Sequence, residues 1–229
     1  MIELSNVTLR YHYEEYNLFE NLSFRLQEGI NTVLCDIQSG KSSLCKMILG
    51  QLPPNQGKVV VGGVDLYGTK GSKYPVNALY LPASPTFFEN KTVRYNLEYP
   101  LRIRKQLAQN AVVDTLAKQF GLEDLLSVKV KKLDIRQKKL LSVARGLTVS
   151  RDIVLFDGFF DDTEPIDCLL PNNVLAHFDT GTKVIFTTNP KIAVGNTIVI
   201  DDKKCLFEGA SDEAQCIVAN LTWLAALEE

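Results

Sequence analysis

Cys35-Asp36-Ile37-Gln38-Ser39-Gly40-Lys41-Ser42-Ser43 follows a short apolar run, Ile30 to Leu34, and leads into Leu44-Cys45-Lys46-Met47-Ile48-Leu49-Gly50. The pattern reads strand, tight loop, helix. Gly40-Lys41-Ser42 at such a junction is the heart of a P-loop: backbone N–H groups wrap phosphates, the helix N-terminus adds its dipole, and the lysine reaches the β/γ-phosphates. The candidate nucleotide-binding residues here are Ser39, Gly40, Lys41, Ser42 and Ser43, and the Ser42 hydroxyl is placed to meet Mg²⁺. The full pattern has glycine where this chain has Cys35 and Gln38. If either position needs a left-handed backbone, the side chain costs roughly 1–2 kcal/mol and weakens binding.

Those groups need a strand behind them and a helix in front, and the flanking sequence supplies both. Residues 1–10 alternate (Ile2, Leu4, Val7, Leu9), the period of a half-buried strand. Tyr11-His12-Tyr13 ends it, Leu22-Ser23-Phe24-Arg25-Leu26 alternates again, and Gln27-Glu28-Gly29 turns into the P-loop strand. Beyond the P-loop helix, Leu52 to Gly57 breaks the chain. Val59-Val60-Val61 and Ala78 to Pro82 predict strands, with a turn at Gly62-Gly63. From about Glu98 to Leu147 the composition changes: Gln106, Leu107, Val112, Leu116 and Phe120 recur at helical spacing, with Gly121 as a C-cap. Strand patterns return at Ile153 to Asp157, Lys183 to Phe186 and Thr197 to Ile200. The order predicts an α/β fold with a mainly parallel sheet, an N-terminal antiparallel β region and a mostly helical insert.

Composition narrows the classes further. A chain of 229 residues, 45% hydrophobic and 23% charged, can bury one core, or a core and a small subdomain. A net charge of −2 argues against a protein that coats nucleic acid. Two histidines and five scattered cysteines show no metal-ligand spacing and no disulfide framework, which fits reduced cytosolic thiols. Met1-Ile2-Glu3-Leu4-Ser5 does not read as the start of a signal peptide. No apolar run approaches the ~20 residues that span a bilayer. The expectation is a cytosolic domain whose membrane portion, if it serves one, is another chain.

The order of motifs resembles one family over essentially the whole chain: the nucleotide-binding subunits of ABC transporters. Ile2 to Val7 ending in Tyr11 looks like the strand whose aromatic residue stacks on adenine. Gly57 to Gly63 looks like the strand and turn after the P-loop helix. Phe87 to Leu97 looks like the entry to the helical subdomain, and Leu140 to Leu147 resembles the helix after the signature motif. Ile153 to Asp157 looks like a Walker B strand, which makes Asp157 a nucleotide-site residue and, with Ser42, a holder of Mg²⁺. The resemblance implies a P-loop core of ABC-ATPase type in one domain spanning 1–229, with the α/β core at 1–84 and 151–229 and the helical subdomain at 85–150. It also implies ATP and Mg²⁺ as cofactors.

Against that pattern the departures are systematic. Ala83 aligns with the family's glutamine, Gly158 with its general base, and Asn189 with the histidine that senses the γ-phosphate. Leu133-Asp134-Ile135-Arg136-Gln137 stands where the signature is usually Leu-Ser-Gly-Gly-Gln. A missing general base costs ~10²–10⁴ in rate; Asp161 and Asp162 are candidate substitutes beyond the usual position. Asp134 with Gln137 reads as a capping box, although Arg136 offers a phosphate partner. For Tyr11 the alternative to base stacking is an ordinary aromatic at a strand end, with Tyr13 as backup. For Cys35 it is a small residue filling a turn or a modifiable thiol. The Lys129-Val130-Lys131-Lys132 run with Lys138-Lys139 reads as a solvated face, or as a patch for an acidic partner.

The resulting expectation is a catalytically degenerate ATP-binding subunit with no catalytic residues of its own. It pairs with a more complete nucleotide-binding subunit beneath a membrane permease, contacting the permease through Ala83 to Leu97. It would sit peripherally on the cytoplasmic face. The alternatives are an ABC-like scaffold that binds no nucleotide, and a slow but genuine ATPase.

Overall fold

The computed structural model describes residues 1–36, 39–68, 76–105, 110–161, 169–179, 181–219 and 221. Gln38, Gln106, Leu107 and Asp162, singled out above, lie outside the described residues. The chain divides into two units: Met1–Tyr80, Asp152–Asp162 and Thr180–Glu229 form the first, and Leu81–Arg151 with Thr163–Asp179 the second.

The first unit carries an antiparallel sheet made by β1 (Ile2–Leu9), β2 (Phe19–Leu26), β4 (Gln56–Val61) and the short β5 (Val64–Asp65), in the order β2-β1-β4-β5. Alternation decides its register. Ile2, Leu4, Val7 and Leu9 all point to the buried face, joined there by Leu22, Phe24 and Leu26 of β2.

A six-stranded sheet runs β10-β9-β3-β8-β7-β6, with β6 (Ala78–Pro82) at one edge. Its centre is parallel: β3 (Gly29–Cys35) lies between β8 (Thr182–Thr187) and β9 (Asn196–Asp201), and β7 (Ile153–Asp157) flanks β8. Every residue of β7 is buried, as expected for a strand covered on both faces. Between β3 and β4, α1 (Lys41–Ile48) buries Leu44, Cys45, Met47 and Ile48 against the first sheet and the central strands.

Within the second unit, α2 (Val93–Ile103) begins five residues earlier than the composition change suggests. The Thr92 hydroxyl accepts from the Tyr95 N–H and starts the helix there. It is followed by α3 (Asn110–Gln119), α4 (Ile135–Leu147) and the short α5 (Pro171–Leu175). Gly121 has a φ of +62°, the left-handed backbone a C-cap requires.

Sequence periodicity does not reveal β10 (Lys204–Ala210) or α6 (Ser211–Val218), which close the first unit. The β9–β10 hairpin turns through Asp202 and Lys203, both at positive φ, without the glycine that normally announces such a turn. Its outer strand alternates exposed and half-buried residues, with Cys205 and Phe207 packed against the core.

Candidate functional site

The phosphate-binding candidates lie where β3 ends and α1 begins. Gly40 caps α1 with a φ of +93°, a conformation that favours glycine, and a Cβ there would stand 2.6 Å from the Phe19 ring. The Leu44 N–H then donates to Gly40 O at 3.0 Å, leaving the earlier N–H groups at the helix start without intrahelical acceptors. The Ser39 hydroxyl donates to Asp36 O and closes the loop before it.

Cys35 corrects part of the sequence expectation. It is the last residue of β3, fully buried and paired with Ile200, so it fills no turn and needs no left-handed backbone. Burial pushes its thiol up to about 11, against the opposing pull of the Ser39 hydrogen bond and Lys41. Asp161 and Asp157 push the same way as burial, which places both carboxylates within electrostatic reach of the loop strand.

Asp157, at the end of β7, is 7% exposed. Its Oδ2 accepts the Ser42 hydroxyl at 2.6 Å, joining the start of α1 to the end of β7, and accepts the Tyr80 hydroxyl, also at 2.6 Å. Burial, then the bond to Asp157, raises the Tyr80 hydroxyl above its ordinary range. Ser42 Oγ and Asp157 Oδ2 are two hard oxygens at one point beside a helix N-terminus, a donor set that fits Mg²⁺ completed by phosphate oxygens and water. A bound Mg²⁺ would supply positive charge to the nucleotide phosphates there. Ser42 and Asp157 would hold it, and Lys41, the first residue of α1, would reach the same phosphates.

Tyr11, 41% exposed at the end of β1, shares a 2.8 Å hydrogen bond between its hydroxyl and Ser43 Oγ. Its ring is thus tethered to the first turn of α1. Tyr13 is 95% exposed.

Gly158 and Asn189 sit in the same unit. Gly158 is buried with a φ of +61°, and its N–H donates to Phe186 O at 2.9 Å. An L side chain at that turn would be strained by roughly 1–2 kcal/mol, so the backbone itself disfavours a carboxylate at this position. Asn189 accepts from the Lys191 N–H at 3.0 Å and so caps its own short turn. Asp161 is held by the Thr187 hydroxyl at the end of β8.

The second unit holds the remaining candidates. Asp134 Oδ1 accepts from the Gln137 N–H at 2.7 Å, and Gln137 Oε1 accepts from the Asp134 N–H at 3.1 Å, a closed capping box at the start of α4. Ile135 and Arg136 are exposed on that first turn. Ala83 is half-buried just after β6. The basic run is not one solvated face: Lys129, Lys131 and Lys132 are exposed, but Lys138 pairs with Glu89 at 3.1 Å and Lys139 is 2% exposed. Position 139 falls on the inner side of α4.

Sequence reading missed Tyr80. Its partner lies 77 residues away, so no local spacing could announce the contact. Among the described residues no group of three or more His, Cys, Asp or Glu side chains is placed to hold a metal ion, and no helix is long and apolar enough to cross a membrane.

The chain matches the ABC transporter family model over residues 19–160, a stretch that includes the P-loop, the capped start of α4 and Asp157. It is 28% identical over 159 residues to the molybdate/tungstate import ATP-binding protein WtpC of Methanocaldococcus jannaschii, covering 69% of this chain and 52% of that protein. It is 29% identical over 168 residues to the thiamine import ATP-binding protein ThiQ of Shigella flexneri serotype 5b, covering 72% of this chain and 70% of that one. The chain spans about half the length of the molybdate/tungstate relatives it matches. Among solved structures, the ATP binding subunit of an ABC transporter superposes with a TM-score of 0.74 at 19% identity, covering 100% of both chains, and shares the predicted α/β fold. The family match takes in more than half of the sequence, including the start of α1 and the end of β7 where Ser42 and Asp157 meet, and on it the chain belongs to the ABC transporter family.

Proposed function

We propose that this chain is the ATP-binding subunit of an ABC importer, held on the cytoplasmic face of a membrane by permease subunits and paired there with a second nucleotide-binding subunit. The observation that carries the reading is the 2.6 Å bond between Ser42 and Asp157, which joins P-loop and Walker B strand at the N-terminus of α1. The relatives' names support the import direction. An aromatic group at the entry to the second unit supports permease docking: Phe88, 41% exposed, packs on Tyr95 and Tyr99 with ring centroids 5.6 and 4.5 Å away.

For turnover, family membership and the placement of Asp161 favour a slow, genuine ATPase. Asp161 is fixed by Thr187 near the loop strand and is the candidate carboxylate to orient water. The second reading, a subunit that holds ATP with little hydrolysis beside a more complete partner, is favoured by the Gly158 turn and by the spent side chain of Asn189. The closed capping box also points its own carboxylate at the helix start, where a partner's nucleotide would need attraction.

Calorimetry of ATP binding with Mg²⁺, beside Lys41→Ala, tests the proposal. Binding abolished by the substitution is expected. Equal binding in both proteins, or none in either with the partner subunit added, would refute a working P-loop and leave a scaffold. Phosphate release by the wild-type chain, lost in Asp161→Asn, would select the first reading of turnover; none would select the second.

A further inference from the structure

Tyr11 meets the phosphate site at one atom. Its hydroxyl and Ser43 Oγ lie 2.8 Å apart, and among the described residues neither side chain has another polar partner. Ser43 is 7% exposed, so its hydroxyl is costly to leave unpaired. It stands in the first turn of α1, beside the N–H groups of Lys41, Ser42 and Ser43, which have no intrahelical acceptors. A phosphate drawn to those N–H groups lies next to Ser43 and finds the hydroxyl already taken. Tyr11 lies just beyond β1, where its carbonyl accepts the Glu14 N–H at 3.0 Å. That turn holds the backbone and leaves the half-exposed ring one polar bond to break before it can rotate outward.

We propose that the Tyr11 hydroxyl stands on Ser43 in place of a phosphate oxygen, and that Tyr11 is thereby a specificity-determining residue: the loop favours a phosphate that carries a base and disfavours bare polyphosphate. The inference rests on the nucleotide-holding reading above. Any phosphate that uses the Ser43 hydroxyl must first break its bond to Tyr11, and that cost is the same for every such ligand. A nucleotide recovers it, because the freed ring has a base to stack on. Tripolyphosphate has no base and recovers nothing. Removing only the hydroxyl lifts the cost: Tyr11→Phe keeps a ring for stacking and leaves Ser43 open to phosphate.

The test is calorimetric titration of tripolyphosphate and of ATP, both with Mg²⁺, into wild-type protein, Tyr11→Phe, Ser43→Ala and the double variant. Tyr11→Phe should bind both ligands about threefold to tenfold more tightly, the net value of a neutral hydrogen bond. In the Ser43→Ala background the same change should alter neither affinity by more than about twofold. Tyr11→Leu, which removes hydroxyl and ring together, should tighten tripolyphosphate by the same factor and leave ATP without that gain. A merely structural role for Tyr11 would shift affinity equally with and without the Ser43 hydroxyl, and that result overturns the inference. So does weaker ATP binding by Tyr11→Phe, which would mean that the bond to Ser43 survives in the complex and helps to hold the ring. Equal gains for ATP and tripolyphosphate in Tyr11→Leu overturn the specificity. ATP bound without any gain in tripolyphosphate affinity refutes only the role of Tyr11. Neither ligand bound by the wild-type chain or the variants refutes the nucleotide-holding reading, and this inference with it.

Discussion

Gly40→Ala probes whether the phosphate loop is held in shape by its backbone and by the core beneath it. Gly40 sits at φ +93°, and the added Cβ would lie 2.6 Å from Phe19 Cζ and 2.8 Å from Leu18 Cδ2. Phe19 is fully buried, so its ring cannot move outward to make room. Left-handed strain contributes roughly 1–2 kcal/mol, and overpacking a core contact about 1–3 kcal/mol. Together the loss is about 2–5 kcal/mol, a fall in melting temperature of roughly 4–20 °C for a chain of this size. Gly62→Ala is the control, since Gly62 also has positive φ (+58°) but a Cβ there meets nothing within 4 Å. It should show the backbone cost alone, roughly 1–2 kcal/mol. Thermal and urea unfolding followed by circular dichroism measures both. If the two substitutions cost the same within about 0.5 kcal/mol, the loop is not braced by Phe19 and Leu18 and the argument fails. ATP titration of the folded Gly40→Ala protein should also show weakened binding, because the helix N-terminus shifts to relieve the contact.

Two further outcomes follow from the same geometry. Asp134→Ala should cost about 1 kcal/mol by opening the capping box, whereas Asp134→Asn, an equally good cap, should cost little; matching urea midpoints for the two would remove the cap from the account of α4. Cys35 should resist alkylation at pH 8 at least about a hundredfold more than exposed Cys216, with a rate that climbs as pH approaches 11. The linked stability runs the same way. The unfolded thiol ionises near its ordinary value of 9.0 while the folded one keeps its proton to about 11, so folding weakens as pH rises between those values. Cys45, raised for the same reason of burial, adds to that slope. Alkaline urea unfolding checks the sign, and stability that grows over this window would contradict it.

Much of the site was legible in the sequence because its signals are local. Gly40-Lys41-Ser42 between an apolar run and a helix announces a phosphate loop through backbone geometry that only a few residues can adopt. Asp134 and Gln137 predict their own cap because donor and acceptor lie within one helical turn. The strands β1, β2 and β7 could be read from their apolar pattern, since the core contacts that select them repeat along one segment.

What the tertiary structure alone decided are matters of long-range contact and of backbone angle. No spacing rule brings Tyr80 to Asp157, or Tyr11 to Ser43, across 77 and 32 residues. Those pairings exist because the chain folds β6 and β7 into one sheet and sets β1 beside α1. Cys35 reads as a turn residue by sequence, yet it is the last residue of β3. Lys139 belonged to a basic run by sequence, yet lies on the inner side of α4. The absence of a side chain at Gly158 was plain from the sequence. That the turn there has a φ of +61°, which disfavours any side chain, is a property of the folded backbone: the angle is set by the bond to Phe186 O on a strand that arrives much later in the chain.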